Sequence, residues 1–399
     1  MIPSAQQASA FLDGLLADLY RRSASGPASP APSPIPVIDD PAIARQVLAR
    51  PDIFAKNYDF LDDMARGRVS ANGEDWRQRA SLTRSWYLAA HKKVNLEQVR
   101  AIYARHLSDG AELDAGTLFA RFGAASVEVF SRSIGLPCAL PWPADLVSHM
   151  RELLKVRQWI DWNGCAEESL RQVQGQQAAM TAQLRALWQA SGEGRRLMDE
   201  LAARGMPIAG FDAAQELIQI ILAASETTAS SLLWAAEALS EQAAMQQQLA
   251  ADPSGLERFI AEVLRLFPPI PYLTRRCIAD HDFSGATWRA GQLLSISIVG
   301  IQRHPAHWSH PWQFDAARPE FDAGSTPIAY MPFSRGERVC AGMRLAMLEL
   351  RAGLEALLSL RRCVAGPTPT HFAYGLSSYP RTSLRAVRID AAAAVGAAA

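Results

Sequence analysis

The stretch PFSRGERVCAG, Pro332 to Gly342, decides how the rest of the chain is read. It sets one cysteine, Cys340, among two glycines, two arginines and a phenylalanine, with no second cysteine nearby. Leu345, Leu348, Leu350, Leu354 and Leu357 follow at helical spacing. The thiol therefore stands just before a helix N-terminus, where unpaired N–H groups and the helix dipole favour thiolate. An unperturbed thiol has a pKa of about 8.5, so at neutral pH it needs such help or a metal. Gly342 removes a side chain where a flat group can lie against the backbone, and Gly336 permits a turn that an L-residue resists. Arg338 adds a cation. The frame suits a metal ligand backed by a loop, with an arginine for an anionic group on a cofactor. The competing reading, a buried structural cysteine, is the commoner fate of an isolated one.

The 399 residues are enough for a large core, and a composition 49% hydrophobic and 20% charged is ordinary for a globular protein. Formal net charge is zero and no long basic run is present, which argues against a nucleic-acid partner. Only Lys56, Lys92, Lys93 and Lys155 are lysines, so electrostatic docking rests on arginine. Five scattered cysteines give neither a disulfide framework nor zinc spacing, and a reducing cytosol is expected. No signal peptide is read at the N-terminus. The most apolar run, LIQIILAAS, is broken by Gln219 and falls short of a membrane span. A cytoplasmic protein with no membrane association is expected.

Residues 9–20 place Phe11, Leu12, Leu15, Leu16 and Leu19 on one helical face. SASGPASPAPSPIP, Ser23 to Pro36, reads as a Pro-rich linker. The expected division is an N-terminal helix and linker over 1–36 and a catalytic domain over 37–399. DDPAIARQVLARPDIF predicts a short helix opened by Asp before Pro. From 75 to 265 the pattern is mostly helical, with 211–240 the longest run free of Pro and Gly. After Pro268 the texture changes: FSGATWRAGQLLSISIVG alternates around turn residues and predicts strands. The fold class expected is mainly α with a minor β region toward the C-terminus.

Phe333, Gly336, Arg338, Cys340 and Gly342 resemble, position for position, the haem-binding signature of the cytochromes P-450. Other segments agree. Glu262 and Arg265 in EVLR precede LFPPIPYLTRR, which is similar to the segment after that family's K helix. HWSHPWQFDAAR resembles its meander, with Trp308, Pro311, Phe314, Asp315 and Arg318 in place. The resemblance implies one mainly helical domain with haem b between the I helix and the L helix that follows the cysteine. Cys340 would be the axial iron ligand, and Glu262, Arg265 and Arg318 a buried structural triad. The strands that usually precede the first helix look shortened to the Pro-rich linker.

LAASETTAS holds Ala223, Glu226 and Thr227 inside the longest predicted helix. Hydroxyls in mid-helix compete for backbone groups, so the segment reads either as a small-residue packing face or as a functional one. The resemblance implies the oxygen groove, with Glu226 and Thr227 as an acid–alcohol pair relaying protons to dioxygen; Ala224 stands where the family commonly has glycine. Arg275 and Arg338 match its propionate contacts. Its C helix often carries a basic residue four after a tryptophan, here Trp76, but that position is Ala80; Arg77 or Arg79 is the expected substitute, with Arg79 otherwise a solvated surface cation. By the same analogy Tyr58, Phe60, Ala223, Tyr272, Leu273 and Leu376 line the substrate pocket. Trp159 and Trp162 are read as packing or as pocket wall. His304, His307 and His310 are not read as a zinc site, because Pro305 and Pro311 break the helix that would align them.

The implied function is a haem-thiolate monooxygenase that inserts one oxygen atom from dioxygen into an apolar small molecule, within secondary metabolism. Electrons would come from a separate ferredoxin or flavodoxin with its reductase. The alternatives are a haem-thiolate enzyme without reductive oxygen activation (peroxygenase, isomerase or dehydratase) and a non-catalytic haem sensor.

Overall fold

The computed structural model describes residues 2–25, 35–322 and 327–389. The centre of the protein is the helix Ala213–Ser240, opened by Asp212, whose carboxylate accepts from the backbone N–H of Ala214 at 2.9 Å and Gln215 at 3.1 Å. By length and composition it could cross a membrane, but 83% of its most apolar window is buried inside the protein. A helix apolar on all sides belongs in a core. Its two halves enter two different clusters. Leu217, Ile218, Ile221 and Leu222 pack with Met150, Leu154, Met180 and Trp188. Ala229, Leu232, Leu233 and Ala236 pack with Tyr103, Leu118, Phe122 and Leu354. The Ala223–Thr228 stretch lies between them, and a cavity opens there.

The Ser/Thr-rich segment stays helical because its hydroxyls bond back one turn. Ser225 donates to the Ile221 carbonyl at 2.8 Å, Thr227 to Ala223 at 3.0 Å, Thr228 to Ala224 at 2.9 Å and Ser231 to Thr227 at 2.9 Å. The expected competition with the backbone is thus resolved within the helix.

A four-stranded sheet stands beside the cavity in the order Val37–Ile38, Leu293–Ser297, Tyr272–Cys277, Phe54–Lys56. The first pair is parallel and the other two antiparallel. Two of these strands, of two and three residues, lie between the helices Ala5–Ser25 and Gly73–Lys93, which corrects the expectation that this strand region is shortened to the Pro-rich linker alone. The register sets Lys56 opposite Arg275, so two cations share one face of the sheet. The strands predicted around Ser284-Gly285 form the hairpin His281–Phe283 with Ala286–Trp288. A second hairpin joins His371–Tyr374 to Ser378–Arg381, and a three-stranded sheet pairs Arg385–Arg388 with both Glu112–Asp114 and Arg361–Val364.

At the N-terminus, the helix Ala5–Ser25 sets Phe11 edge-on to Trp159 and stacks Tyr20 on Phe372, tying it to the helix Ala144–Asn163 and the second hairpin. Of the predicted linker, residues 26–34 lie outside the described residues. Asp40 caps the helix Pro41–Leu48, donors being the N–H groups of Ala42 and Ile43 at 2.8 Å.

Candidate functional site

Cys340 reaches the cavity from a tight loop. Its N–H donates to the Phe333 carbonyl at 2.9 Å. Gly336 carries φ +76°, and a Cβ there would lie 2.5 Å from the Leu48 carbonyl oxygen, so both conformation and space require glycine. Gly342 is different. A Cβ there would meet nothing nearer than Cys340 Sγ at 4.0 Å. The fold itself does not demand this glycine; its missing side chain leaves the cavity wall beside the thiol open.

The thiol has accessible surface only because it faces an internal cavity of about 720 Å³. Enclosure by protein pushes its pKa up; backbone N–H groups of Gly342 and Met343 and the charges of Lys56 and Arg68 pull the other way without overcoming burial. Phe333, Arg338, Cys340 and Gly342 line one wall, and Ala223, Glu226 and Thr227 line another. Tyr58, Phe60, Tyr272, Leu273 and Leu376 also line it, as does Trp162.

Lys56, Arg68, Arg276 and Arg338 line this cavity; Arg276 is paired with Asp59 at 3.0 Å, and the buried Arg275, opposite Lys56 in the sheet, stands behind the wall. Arg338 donates to the Ala71 carbonyl at 2.8 Å and lies 4.4 Å from the Trp76 ring centroid. Arg275 donates to the Thr274 carbonyl at 2.9 Å, beside the Tyr58 hydroxyl. Lys56 Nζ donates to the Val69 carbonyl at 3.0 Å. Arg68 donates to the Thr83 hydroxyl at 2.9 Å and the Ala80 carbonyl at 3.4 Å. Among the described residues Lys56, Arg68, Arg275 and Arg338 have no carboxylate partner. Burial, then the neighbouring Arg338 and Arg275, hold the Lys56 ammonium well below its usual value. Burial and Arg275 push Arg338 down to about 10. Buried cations answered only by carbonyls and hydroxyls suit a ligand with two carboxylates. The thiol, the open wall at Gly342 and these cations together fit the haem that the sequence resemblance implies.

The sequence placed some residues differently. Arg77 is 59% exposed and pairs with Glu74 at 3.1 Å, so it does not face the cavity. Its position on the outer face of the helix Gly73–Lys93 explains this. Arg79 is not a surface cation: it is 1% exposed and bridges Asp75 and Glu216, each at 2.7 Å. Lys56 and Arg68 were missed. No local motif marks them; the only hint was the vacated basic position at Ala80.

Glu226 and Thr227 both reach the cavity but do not bond each other. The Thr227 hydroxyl turns to Ala223, while the buried Glu226 carboxylate accepts from Arg151 Nε at 2.7 Å, across from the helix Ala144–Asn163. Glu262, Arg265 and Arg318 do meet. Arg265 reaches Glu262 at 2.7 and 2.8 Å and Arg318 reaches it at 2.8 Å, with all three side chains at most 1% exposed. His304 and His307 lie with rings 5.3 Å apart, and among the described residues no group of His, Cys, Asp and Glu is arranged to hold a metal.

Comparison with known proteins agrees with this geometry. A family model described as cytochrome P-450 matches residues 211–362. Cytochrome P-450 4A24 of Sus scrofa is 31% identical over 188 residues, which covers 42% of this chain and 36% of that protein. Taurochenodeoxycholic 6 alpha-hydroxylase, also of Sus scrofa, is 31% identical over 187 residues, again 42% of this chain and 36% of the relative. The chain thus matches little more than a third of the length of these relatives. Among solved structures, a 6-coordinated cytochrome P-450 from Thermus thermophilus superposes with a TM-score of 0.68 at 21% identity, covering 94% of this chain and 98% of that one. CYP108D1 from Novosphingobium aromaticivorans gives 0.69 at 18% identity, covering 98% and 99%. At these identities the superpositions speak for the fold.

Proposed function

We propose that the chain is a cytochrome P-450, a haem-thiolate monooxygenase acting on a largely apolar small molecule, a reading supported by the family model over residues 211–362. One observation carries the reading: the Cys340 thiol opens onto a cavity lined by Lys56, Arg68 and Arg338, cations with no carboxylate partner among the described residues. Haem bound there through the thiolate supplies the redox chemistry that activates dioxygen. One oxygen atom enters the substrate and the other leaves as water, which requires two electrons and two protons.

The chain's own residues bind, orient and supply protons. Arg275 and Arg338 would hold the haem carboxylates, and Phe333 and Gly342 shape the wall at the sulfur. Tyr58, Phe60, Tyr272, Leu273 and Leu376 enclose the substrate and exclude water, with Ala223 leaving room on the long helix. Thr227 offers a hydroxyl at the cavity wall. Glu226, held by a partly exposed Arg151, links that wall to the protein surface and so feeds it protons. Electrons arrive from a separate ferredoxin or flavodoxin with its reductase. Met343, 40% exposed and three residues after Cys340, offers an apolar contact on that side. The expected setting is cytoplasmic.

The test is spectroscopic and then catalytic. Reduced protein under carbon monoxide should show the absorption maximum of a thiolate-bound haem; the maximum of imidazole coordination, or no haem at all, would end the reading. Product from a substrate screen should need NAD(P)H and the electron carriers. Product formed with peroxide alone would favour a peroxygenase instead.

A further inference from the structure

Among the described residues, the helix Gly73–Lys93 brings no cation to the cavity: those lining it are Trp76, Trp86, Tyr87 and Ala90. The loop before it fills the gap. Arg68 lies along that helix, touching Ala80 and Thr83 as given above and placing its guanidinium 4.6 Å from the Tyr87 ring centroid. Lys56 comes to the same loop from the sheet edge. Asn72 clamps its backbone in both directions, accepting from Lys56 N–H at 2.9 Å and donating to its carbonyl at 3.0 Å.

The loop is held by three side chains on adjacent turns of the long helix. Gln219, fully buried, accepts from the N–H groups of Val69 at 2.6 Å and Ser70 at 3.2 Å. Its amide donates to the Ala65 carbonyl at 2.8 Å and the Ser70 hydroxyl at 2.7 Å. Glu216 accepts from Arg68 N–H at 3.0 Å while its other oxygen takes Arg79 at 2.7 Å, and Gln215 accepts from Arg66 N–H at 2.9 Å. At Gly67 a Cβ would lie 2.8 Å from Gln219 Oε1, so the loop and the helix side chain are fitted to each other. A buried amide with every donor and acceptor satisfied by one loop fixes that loop's shape.

We propose that Lys56 and Arg68 form a carboxylate anchor at this edge of the haem site, replacing a cation on the helix, and that Gln219 is its positioning residue. The proposal rests on the haem-thiolate reading. It goes further in assigning haem retention to a loop that the long helix shapes.

Haem transfer from the holoprotein to excess apomyoglobin tests it without any turnover. Arg68→Ala and Lys56→Met should each speed transfer about tenfold, the effect of losing one charge-assisted hydrogen bond. Arg68→Ala with Ala80→Arg should return most of the slow rate, because it offers a guanidinium from the helix. Gln219→Leu should speed transfer although it touches no cofactor, and adding Ala80→Arg should rescue it in part. Unfolding of the haem-free protein separates anchoring from general support: Lys56→Met should leave it unchanged or more stable. Wild-type transfer rates in both single cation variants, with the thiolate-type spectrum intact, would overturn the anchor alone. A rate raised only in proportion to lost haem-free stability would overturn it too. Wild-type protein that lacks the thiolate-type spectrum would remove the haem reading and the anchor together.

Discussion

Two sets of buried cations in this protein are answered differently. Arg265 and Arg318 share the Glu262 carboxylate and saturate their remaining donors on carbonyls, Gln302 at 2.9 Å and Pro311 at 2.8 Å for Arg265 and His310 at 3.0 Å for Arg318. Lys56, Arg68, Arg275 and Arg338 find only neutral oxygens, and all but Arg275 line a cavity. Burying a charge is unfavourable unless a partner compensates it. The first set is complete within the chain, so it serves the fold. On the function proposed above, an anionic ligand completes the second set, which then serves the site. Which role a buried arginine plays is therefore read from what answers it, not from how deeply it lies.

The largest effect should come from breaking the complete set. Glu262→Ala leaves two guanidinium groups stranded and should lower stability by about 3–5 kcal/mol. Denaturant unfolding should show that loss with and without haem. A variant that unfolds normally but releases haem quickly would erase the distinction. Arg338→Leu should do the reverse. It should weaken haem retention by the roughly 1.5–3 kcal/mol of a charged hydrogen bond, while the haem-free protein unfolds at the wild-type midpoint or above it. Equal destabilisation of both forms would make Arg338 part of the fold.

Glu349 sharpens the contrast from the acidic side. It lies on the helix Met343–Leu360, fully buried, and its partners are hydroxyls: Tyr103 donates to it at 2.9 Å and Ser126 stands beside it. No cation answers it, and burial raises its pKa from 4.5 to about 8. A carboxyl with a raised folded pKa binds its proton more tightly in the native state. Its stabilisation is full below pH 4.5 and is lost as pH rises to about 8. Glu349→Gln should flatten that slope, and its stability relative to wild type should grow between pH 5 and 8. Parallel curves for the two proteins would mean that Glu349 is ionised in the fold.

Much of this was legible in the chain because it is carried by short, local patterns. The cysteine loop, the pairing of Glu262 with Arg265 and the Asp40 cap before Pro41 are each contained within a few residues. The long helix announced itself by lacking Pro and Gly. What escaped depends on residues far apart. Strands of two and three residues, Val37–Ile38 and Phe54–Lys56, are too short to show alternation, and their register comes from partners more than two hundred positions away. Arg79 and Arg77 look alike in sequence, and only Glu216, 137 residues on, decides that one is buried. Arg68 escaped for the same reason: its surroundings are assembled by Gln219 and by the helix face at Ala80, Thr83 and Tyr87.

The smallest effect on stability, and the most specific on chemistry, is expected between two adjacent residues of the long helix. Thr227 uses its hydroxyl locally, on the Ala223 carbonyl, whereas Glu226 reaches across to Arg151. Removing a hydroxyl that only bonds back one turn disturbs the helix little. Thr227→Ala should therefore unfold within about 1 kcal/mol of wild type. If the hydroxyl helps deliver protons at the cavity wall, product formed per NAD(P)H consumed should fall by roughly tenfold, below the usual span of proton-transfer effects. NAD(P)H consumption itself should continue. Arg151→Ala should spare the helix as well, but it leaves the Glu226 carboxylate without its cation and should lower the same ratio. A product ratio unchanged by Thr227→Ala would take Thr227 out of proton delivery and leave its hydroxyl with the same backbone role as Ser225 on the same helix.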